Sequence, residues 1–267
     1  LDQTIVIKEC RGLKTGWIQG GRADRPILYF LHGYPDTAES WDQQFEYFKE
    51  DFQIIAPYTR GALPSERSAK LSRYGLDAVS LDHLEILQHV DPSGQRPVVC
   101  IGHDLGGIQA WHLANLLGNR LKSLVIINSL ALGQIKNRLL NWRQLQKSWY
   151  VFGFLLPKVS DAFARNYPAR ILRAAHNIGE LSPAHRPKLG KNLSGVVNPL
   201  RQYRALAKDL LSRKKTLSRI HAPVLVLWGR DDSFLETIKS QELEDFATNV
   251  SIRILRGNHW LHREQSD

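Results

Sequence analysis

Six short apolar runs recur along the chain: ILYFLHG (27–33), FQIIAPY (52–58), PVVCIG (97–102), LVIINS (124–129), PVLVLWG (223–229) and VSIRIL (250–255). Runs this short and continuous predict strands covered on both faces. Between them, AESWDQQFEYFKED (38–51), GLDAVSLDHLEILQHV (75–90) and IQAWHLANLLG (108–118) place apolar residues at helical spacing. Alternation of strand and helix predicts an α/β protein with a mostly parallel sheet, right-handed crossovers and flanking helices. Residues 1–20 predict a leading hairpin.

The alternation stops between Ser129 and Pro223. That span contains NWRQLQKSWYVFGFLLP (141–157) and LRQYRALAKDLLSRKK (200–215) and has little strand character, so it predicts a helical insertion after one sheet strand. In an open α/β sheet ligands bind beyond the carboxyl ends of the strands. An insertion leaving from such an end would roof that site as a lid. The expected organisation is a core of residues 1–133 and 222–267 with a lid of residues 134–221.

Charge adds one feature to this picture. The net charge is +10, yet residues 136–219 hold 18 Lys or Arg against three acids (Asp161, Glu180, Asp209), so the predicted insertion is the basic part of a mildly acidic chain. Solvated helix faces are favoured over an anionic partner, because no nucleic-acid motif accompanies the block. No nucleic-acid partner is expected. No apolar run approaches the ~18 residues of a membrane span. Cys10 and Cys100 offer neither a disulfide framework nor metal-ligand spacing, which favours a reducing, cytoplasmic setting; the start at Leu1 leaves a removed signal peptide open.

Chemistry concentrates first in VVCIGHDLGG (98–107). A strand, a glycine-bounded turn and a helix match the nucleophile-elbow pattern, with Asp104 at the centre where a serine is common. A carboxylate there can attack an sp³ carbon and form an alkyl-enzyme ester. A helix-capping Asp or a metal ligand are the competing roles. The strand-end acids Asp231 and Asp232 and the later His259 complete the chain order nucleophile, acid, base. The residues alone leave Asp231 and Asp232 as equals, while Asn128 and Ser129 after the preceding strand offer no carboxylate. His103 flanks the elbow and reads as structural. His83, His89 and His112 fall on predicted helices without partners at metal spacing, and Asp36 and Trp41 read as shaping the pocket or the helix start. No phosphate loop, CxxC or HExxH motif occurs, so neither a metal nor a cofactor is expected.

The segments HGYPD (32–36), GHDLGG (102–107), WGRDD…L (228–235) and GNHW (257–260) together resemble the α/β-hydrolase superfamily, in its branch of epoxide hydrolases and haloalkane dehalogenases. The resemblance runs from about residue 3 to the end. It implies Asp232 rather than Asp231 as the acid, backbone N–H groups of Tyr34 and Leu105 as the oxyanion hole, and a cis Tyr34–Pro35 bond. It also implies a closing helix, for which only the eight residues after His259 remain.

Within this branch, epoxide hydrolases use two lid tyrosines as donors to the epoxide oxygen. The spacing to Pro157 implies Tyr150, and the aromatic–Arg pair in RQYRA implies Tyr203. The dehalogenase Trp after the nucleophile is Leu105 here, and the Asn of the His-Gly loop is Tyr34. The fluoroacetate dehalogenase arginines are replaced by Leu105 and Ile108, and their lid histidine by Tyr150. The expectation is therefore an epoxide hydrolase without a cofactor, acting on a small-molecule epoxide as a monomer or homodimer. A haloalkane dehalogenase-type hydrolase and a binding protein using the basic lid are the alternatives.

Overall fold

The computed structural model describes residues 3–138, 141–167, 170–171, 173–175, 200–212 and 218–264. Parts of the expected lid, including Glu180 of the basic block, lie outside the described residues.

Eight strands form one sheet: β1 (Thr4–Cys10), β2 (Leu13–Gly21), β3 (Ile27–Leu31), β4 (Gln53–Pro57), β5 (Val98–His103), β6 (Leu121–Ile127), β7 (Val224–Gly229) and β8 (Val250–Leu255). Their order is β1-β2-β4-β3-β5-β6-β7-β8. β1, β2 and β4 pair antiparallel, so the leading hairpin forms; every pair from β4 to β8 is parallel. The chain runs outward from β3 to β4 and then returns past β3 to β5. That reversal opens a crevice between the carboxyl ends of β3 and β5, the expected ligand position in such a sheet.

Alternate residues of the central strands feed two apolar layers, as the period of a strand requires. Tyr29, Leu31, Cys100, Leu124, Ile126 and Val226 face one layer. It is covered by α2 (Leu76–Val90) and α3 (Leu105–Leu117), through Ile86, Leu87, Ala110 and Leu113. Leu28, Phe30, Ile54, Ile101 and Ile127 face the other, against Trp41, Phe45 of α1 (Asp42–Phe48) and Leu261. The run predicted as one helix over 38–51 divides into a 3₁₀ turn at Ala38–Trp41 followed by α1.

One expectation about burial fails at the margin. β3 and β4 are buried throughout, but Ile254 and Leu255 of β8 are exposed. β8 pairs only with β7 at the end of the strand order, so an apolar run does not by itself establish cover on both faces.

Between β6 and β7 the described chain is mainly helical, with α4 (Leu132–Arg138), α5 (Trp142–Lys147), α6 (Trp149–Phe154), α7 (Pro157–Asn166) and α8 (Leu200–Leu211), and Ile220 forms an isolated bridge to Ala247. Polar bonds tie them to the helices and loops around the sheet. Gln109 Nε2 donates to Gln202 Oε1 at 2.8 Å, and Leu76 N donates to Asp209 Oδ2 at 2.9 Å. Lys147 Nζ donates to the Asp232 carbonyl at 2.6 Å, and Arg138 pairs with Glu242 at 2.8 Å. Several of the insertion's cations therefore serve to hold it on the core. A last short helix, α9 (Leu261–Glu264), follows β8.

Candidate active site

Asp104 lies between β5 and α3 with φ 52° and ψ −123°. A non-glycine residue in that region costs on the order of 1–3 kcal/mol, which the surroundings must impose. They do so by crowding. A Cβ on Gly106 would stand 2.2 Å from the Leu31 carbonyl oxygen, and one on Gly33 would stand 2.4 Å from Asp104 Cβ. Gly107 N donates to the Asp104 carbonyl at 3.0 Å, and Ser129 Oγ donates to it at 2.5 Å. The peptide is fixed while the carboxylate stands at the mouth of a cavity, with its side chain 16% exposed.

Around that carboxylate the strand ends deliver their residues in turn. The loop after β3 contains the cis Tyr34–Pro35 bond and brings Tyr34 N to Asp104 Oδ1, donating at 2.8 Å. Leu105 opens α3, where the first N–H groups have no partner within the helix, and its side chain lines the cavity. From beyond β8, His259 presents Nε2 to Asp104 Oδ2 at 3.5 Å. Its Nδ1 meets Asp232 Oδ2 at 2.9 Å.

The two adjacent acids separate cleanly. Asp231 is exposed, whereas Asp232 is buried and fully engaged. Its Oδ1 accepts from Phe234 N at 2.7 Å and Leu235 N at 2.9 Å, and its Oδ2 accepts from Asn128 Nδ2 at 2.5 Å as well as facing His259. Burial alone would raise the Asp232 pKa, but the His259 charge and these hydrogen bonds hold it below the ordinary carboxylate value. Burial would likewise depress His259. Asp232 and Asp104 reverse that and lift its pKa to about 10, so the imidazole is held as a cation between two carboxylates.

The inserted helices close the cavity from the other side. It measures about 210 Å³, and its walls include Asp104, Leu105, Ile108, Tyr150 of α6 and Tyr203 of α8. Tyr34, Phe154 and Tyr203 pack ring against ring at centroid distances of 5.1–5.7 Å, and Phe154 also packs Tyr150 at 5.4 Å. Burial first, and the Asp104 charge second, push both phenols well above their ordinary pKa of 10. They stay protonated at any ordinary pH and can only be proton donors towards a developing anion.

Three participants were not singled out by sequence reasoning. Asn128, noted only as lacking a carboxylate, bonds both Asp232 and Gly229 N; its φ of 44° follows from the tight turn after β6. Ser129 braces the elbow carbonyl. Phe234 packs on His259 with ring centroids 4.9 Å apart. A polar residue directly after a buried apolar strand was the one available signal for Asn128 and Ser129.

His103 supports the far side: its Nε2 lies 2.9 Å from the His259 carbonyl oxygen, and burial with the His259 charge lowers its pKa to about 4. Asp36 accepts from Trp260 Nε1 at 2.7 Å, and Trp41 packs at 4.5 Å from His262. His83 sits between Tyr29 and Gln109, His112 meets Ser80 and Asp77, and His89 stacks on Trp17. Among the described residues, the groups with ligand atoms close enough to share a metal are Cys10–Glu85–His89 and Asp36–His103–His262, and neither contains Asp104.

A glycine-crowded elbow, an acid–imidazole pair in this chain order and an inserted helical roof are the parts of a hydrolase. The family model of the alpha/beta hydrolase fold matches residues 26–265. The chain belongs to that family. This α/β hydrolase is 26% identical to Epoxide hydrolase 2 of Caenorhabditis elegans over 96% of its own length and 75% of the relative's. Epoxide hydrolase 4 of Mus musculus is also 26% identical, over 96% and 74%. The AB hydrolase superfamily protein YfhM of Bacillus subtilis is 28% identical, over 92% and 87%. Among solved structures, an epoxide hydrolase from Bacillus megaterium bound to an inhibitor superposes with a TM-score of 0.81 at 22% identity, covering 98% of this chain and 95% of the other. Epoxide Hydrolase A from Mycobacterium thermoresistibile gives 0.81 at 21%, covering 100% and 95%. These structural likenesses establish the α/β-hydrolase fold expected from the motifs. Proteins named epoxide hydrolases recur in both comparisons, in line with the expected branch.

Proposed function

We propose that this α/β hydrolase opens an epoxide to a vicinal diol through an ester on Asp104, with residues 134–221 acting as the lid. One observation carries the reading: two protonated tyrosines from the insertion line the same cavity as a strained aspartate whose Oδ1 already accepts a backbone N–H. A carboxylate suits attack on carbon, and a phenol suits an oxygen that would otherwise leave as an alkoxide.

In the first step Asp104 Oδ2 bonds to a ring carbon. The ring C–O bond breaks with its electron pair on oxygen, and Tyr150 or Tyr203 gives that oxygen a proton, later recovered from solvent. Esterification removes the Asp104 charge, one of the influences that keep His259 cationic. His259 then releases its proton to solvent, which restores the tyrosine, and takes a proton from water as the hydroxyl adds to the Asp104 carboxyl carbon. Asp232 and Asn128 keep the imidazole oriented. The N–H groups of Tyr34 and Leu105 hold the charge that develops on Oδ1. Collapse breaks the bond between the Asp104 carboxyl carbon and Oδ2, which leaves with the substrate carbon; His259 gives that oxygen a proton, and the diol departs.

Leu105 favours an epoxide over a haloalkane, because where the dehalogenases carry a Trp its side chain offers a halide no donor. Parallel assays for diol formation and halide release test the choice. Diol formation without halide release, lost in Asp104→Ala, is the expected result. Halide release as the main activity, or full diol turnover by Asp104→Ala, would reject it.

A further inference from the structure

Seven of the large apolar side chains exposed on the described surface fall within residues 142–167: Trp142, Trp149, Phe152, Leu156, Val159, Phe163 and Tyr167. From Trp149 onward they recur every three or four residues: Trp149 and Phe152 share a face of α6, Val159 and Phe163 share a face of α7, and Leu156 and Tyr167 flank α7. Trp149 is 69% exposed and Val159 68%, while Tyr150 and Phe154 between them turn inward to the cavity. Apolar side chains gathered in this way on a water-facing surface mark a docking face.

The exposed charges along the stripe are cations. Arg143, Lys158, Arg170 and Arg173 are exposed. The single acid between residues 142 and 175 is Asp161, and it is engaged by Arg204. A second copy would bring the same cations against these, so like charges oppose a self-association. A nucleic acid would satisfy the cations and stack on the tryptophans but leave Leu156 and Val159 without an apolar partner. Aromatic and aliphatic residues ringed by Lys and Arg fit an anionic bilayer surface, with the rings at headgroup level and the cations on lipid phosphates.

The stripe also borders an opening next to the cavity of Asp104. An opening of about 320 Å³ is lined by Arg143, Lys147, Trp149, Tyr150, Phe234 and Glu236, the last paired with Lys147 at 3.5 Å. Tyr150 is shared with the cavity of Asp104, and Phe234 packs on His259. We infer that the α6–α7 face of the insertion seats on an anionic lipid bilayer and draws an apolar, membrane-dissolved epoxide through this opening; the substrate class rests on the epoxide reading above, the docking does not.

The test is co-sedimentation of the whole chain with phosphatidylcholine vesicles, with or without phosphatidylglycerol. The protein is expected to pellet with the mixed vesicles, to remain in solution with phosphatidylcholine alone, and to be released by salt. Lys158→Glu should weaken partitioning by roughly tenfold. Val159→Ser combined with Phe163→Ser should abolish it while leaving turnover of a small water-soluble epoxide unchanged, which also establishes that the variant is folded. Wild type that stays in solution with the mixed vesicles, or variants that pellet like wild type, would overturn the inference. So would a concentration-dependent dimer abolished by the same double substitution, or oligonucleotide binding without vesicle binding. Vesicle binding without any epoxide turnover would sustain the docking face and reject the substrate reading.

Discussion

The candidate site has two halves held in different ways. Asp104, Asp232 and His259 stand at strand ends, and each is fixed by its own backbone or by close polar partners. Tyr150 and Tyr203 stand on inserted helices and are positioned by ring packing through Phe154 and by bonds that tie the helices to the core. Ring packing sets a shape but leaves rotation open, whereas a carboxylate with four polar partners has one orientation. The strand-end half can therefore carry the bond-making steps, while the helical half can be retuned for different substrates without disturbing them.

Substitutions that break the first half should cost most. Asp104→Ala should lower diol formation by roughly ten-thousand-fold, the scale of losing a covalent nucleophile, in a steady-state assay. Asp232→Asn should cost roughly a hundredfold to ten-thousand-fold and should bring the His259 pKa down from about 10, read by imidazole NMR titration. An unchanged titration would detach Asp232 from the pair. Gly33→Ala removes no reacting group, but its methyl would need the space of Asp104 Cβ. A loss of roughly a hundredfold in kcat is expected from the displaced nucleophile.

The second half should respond more mildly. Tyr150→Phe and Tyr203→Phe should each cost roughly tenfold to a hundredfold, and the double variant far more, because either phenol can protonate the leaving oxygen. One single variant that loses as much as the double while the other loses nothing would show that only one tyrosine donates. The smallest effect is on stability. His259 has its pKa raised from 6.5 to about 10 in the folded chain, so its contribution is complete below about pH 6.5 and is lost as pH rises towards 10. Denaturation midpoints should fall over that window in wild type and flatten in His259→Gln.

The same division explains what could be read from the chain alone. An elbow needs small residues at fixed offsets, so Gly102, Asp104, Gly106 and Gly107 announce themselves locally, and strand ends place His259 and the acid pair in order. Choosing between Asp231 and Asp232 took either the family pattern or the fold, since which neighbour is buried depends on loop curvature after β7. Asn128 and Phe234 act across more than a hundred and some twenty residues of chain respectively, through contacts that no local pattern encodes. β8 was legible as a strand but not as an exposed edge, because strand order is a property of the whole sheet. Tyr150 and Tyr203 came from the resemblance, since an aromatic on an amphipathic helix is equally consistent with packing.

The most direct test of the central claim is one turnover in heavy-oxygen water with enzyme in excess. An ester on Asp104 predicts that the first diol carries no label and that the label appears in the Asp104 carboxylate on peptide mass analysis. Label in the diol from the first turnover, with Asp104 unlabelled, would mean that water attacks the epoxide directly and would contradict the account.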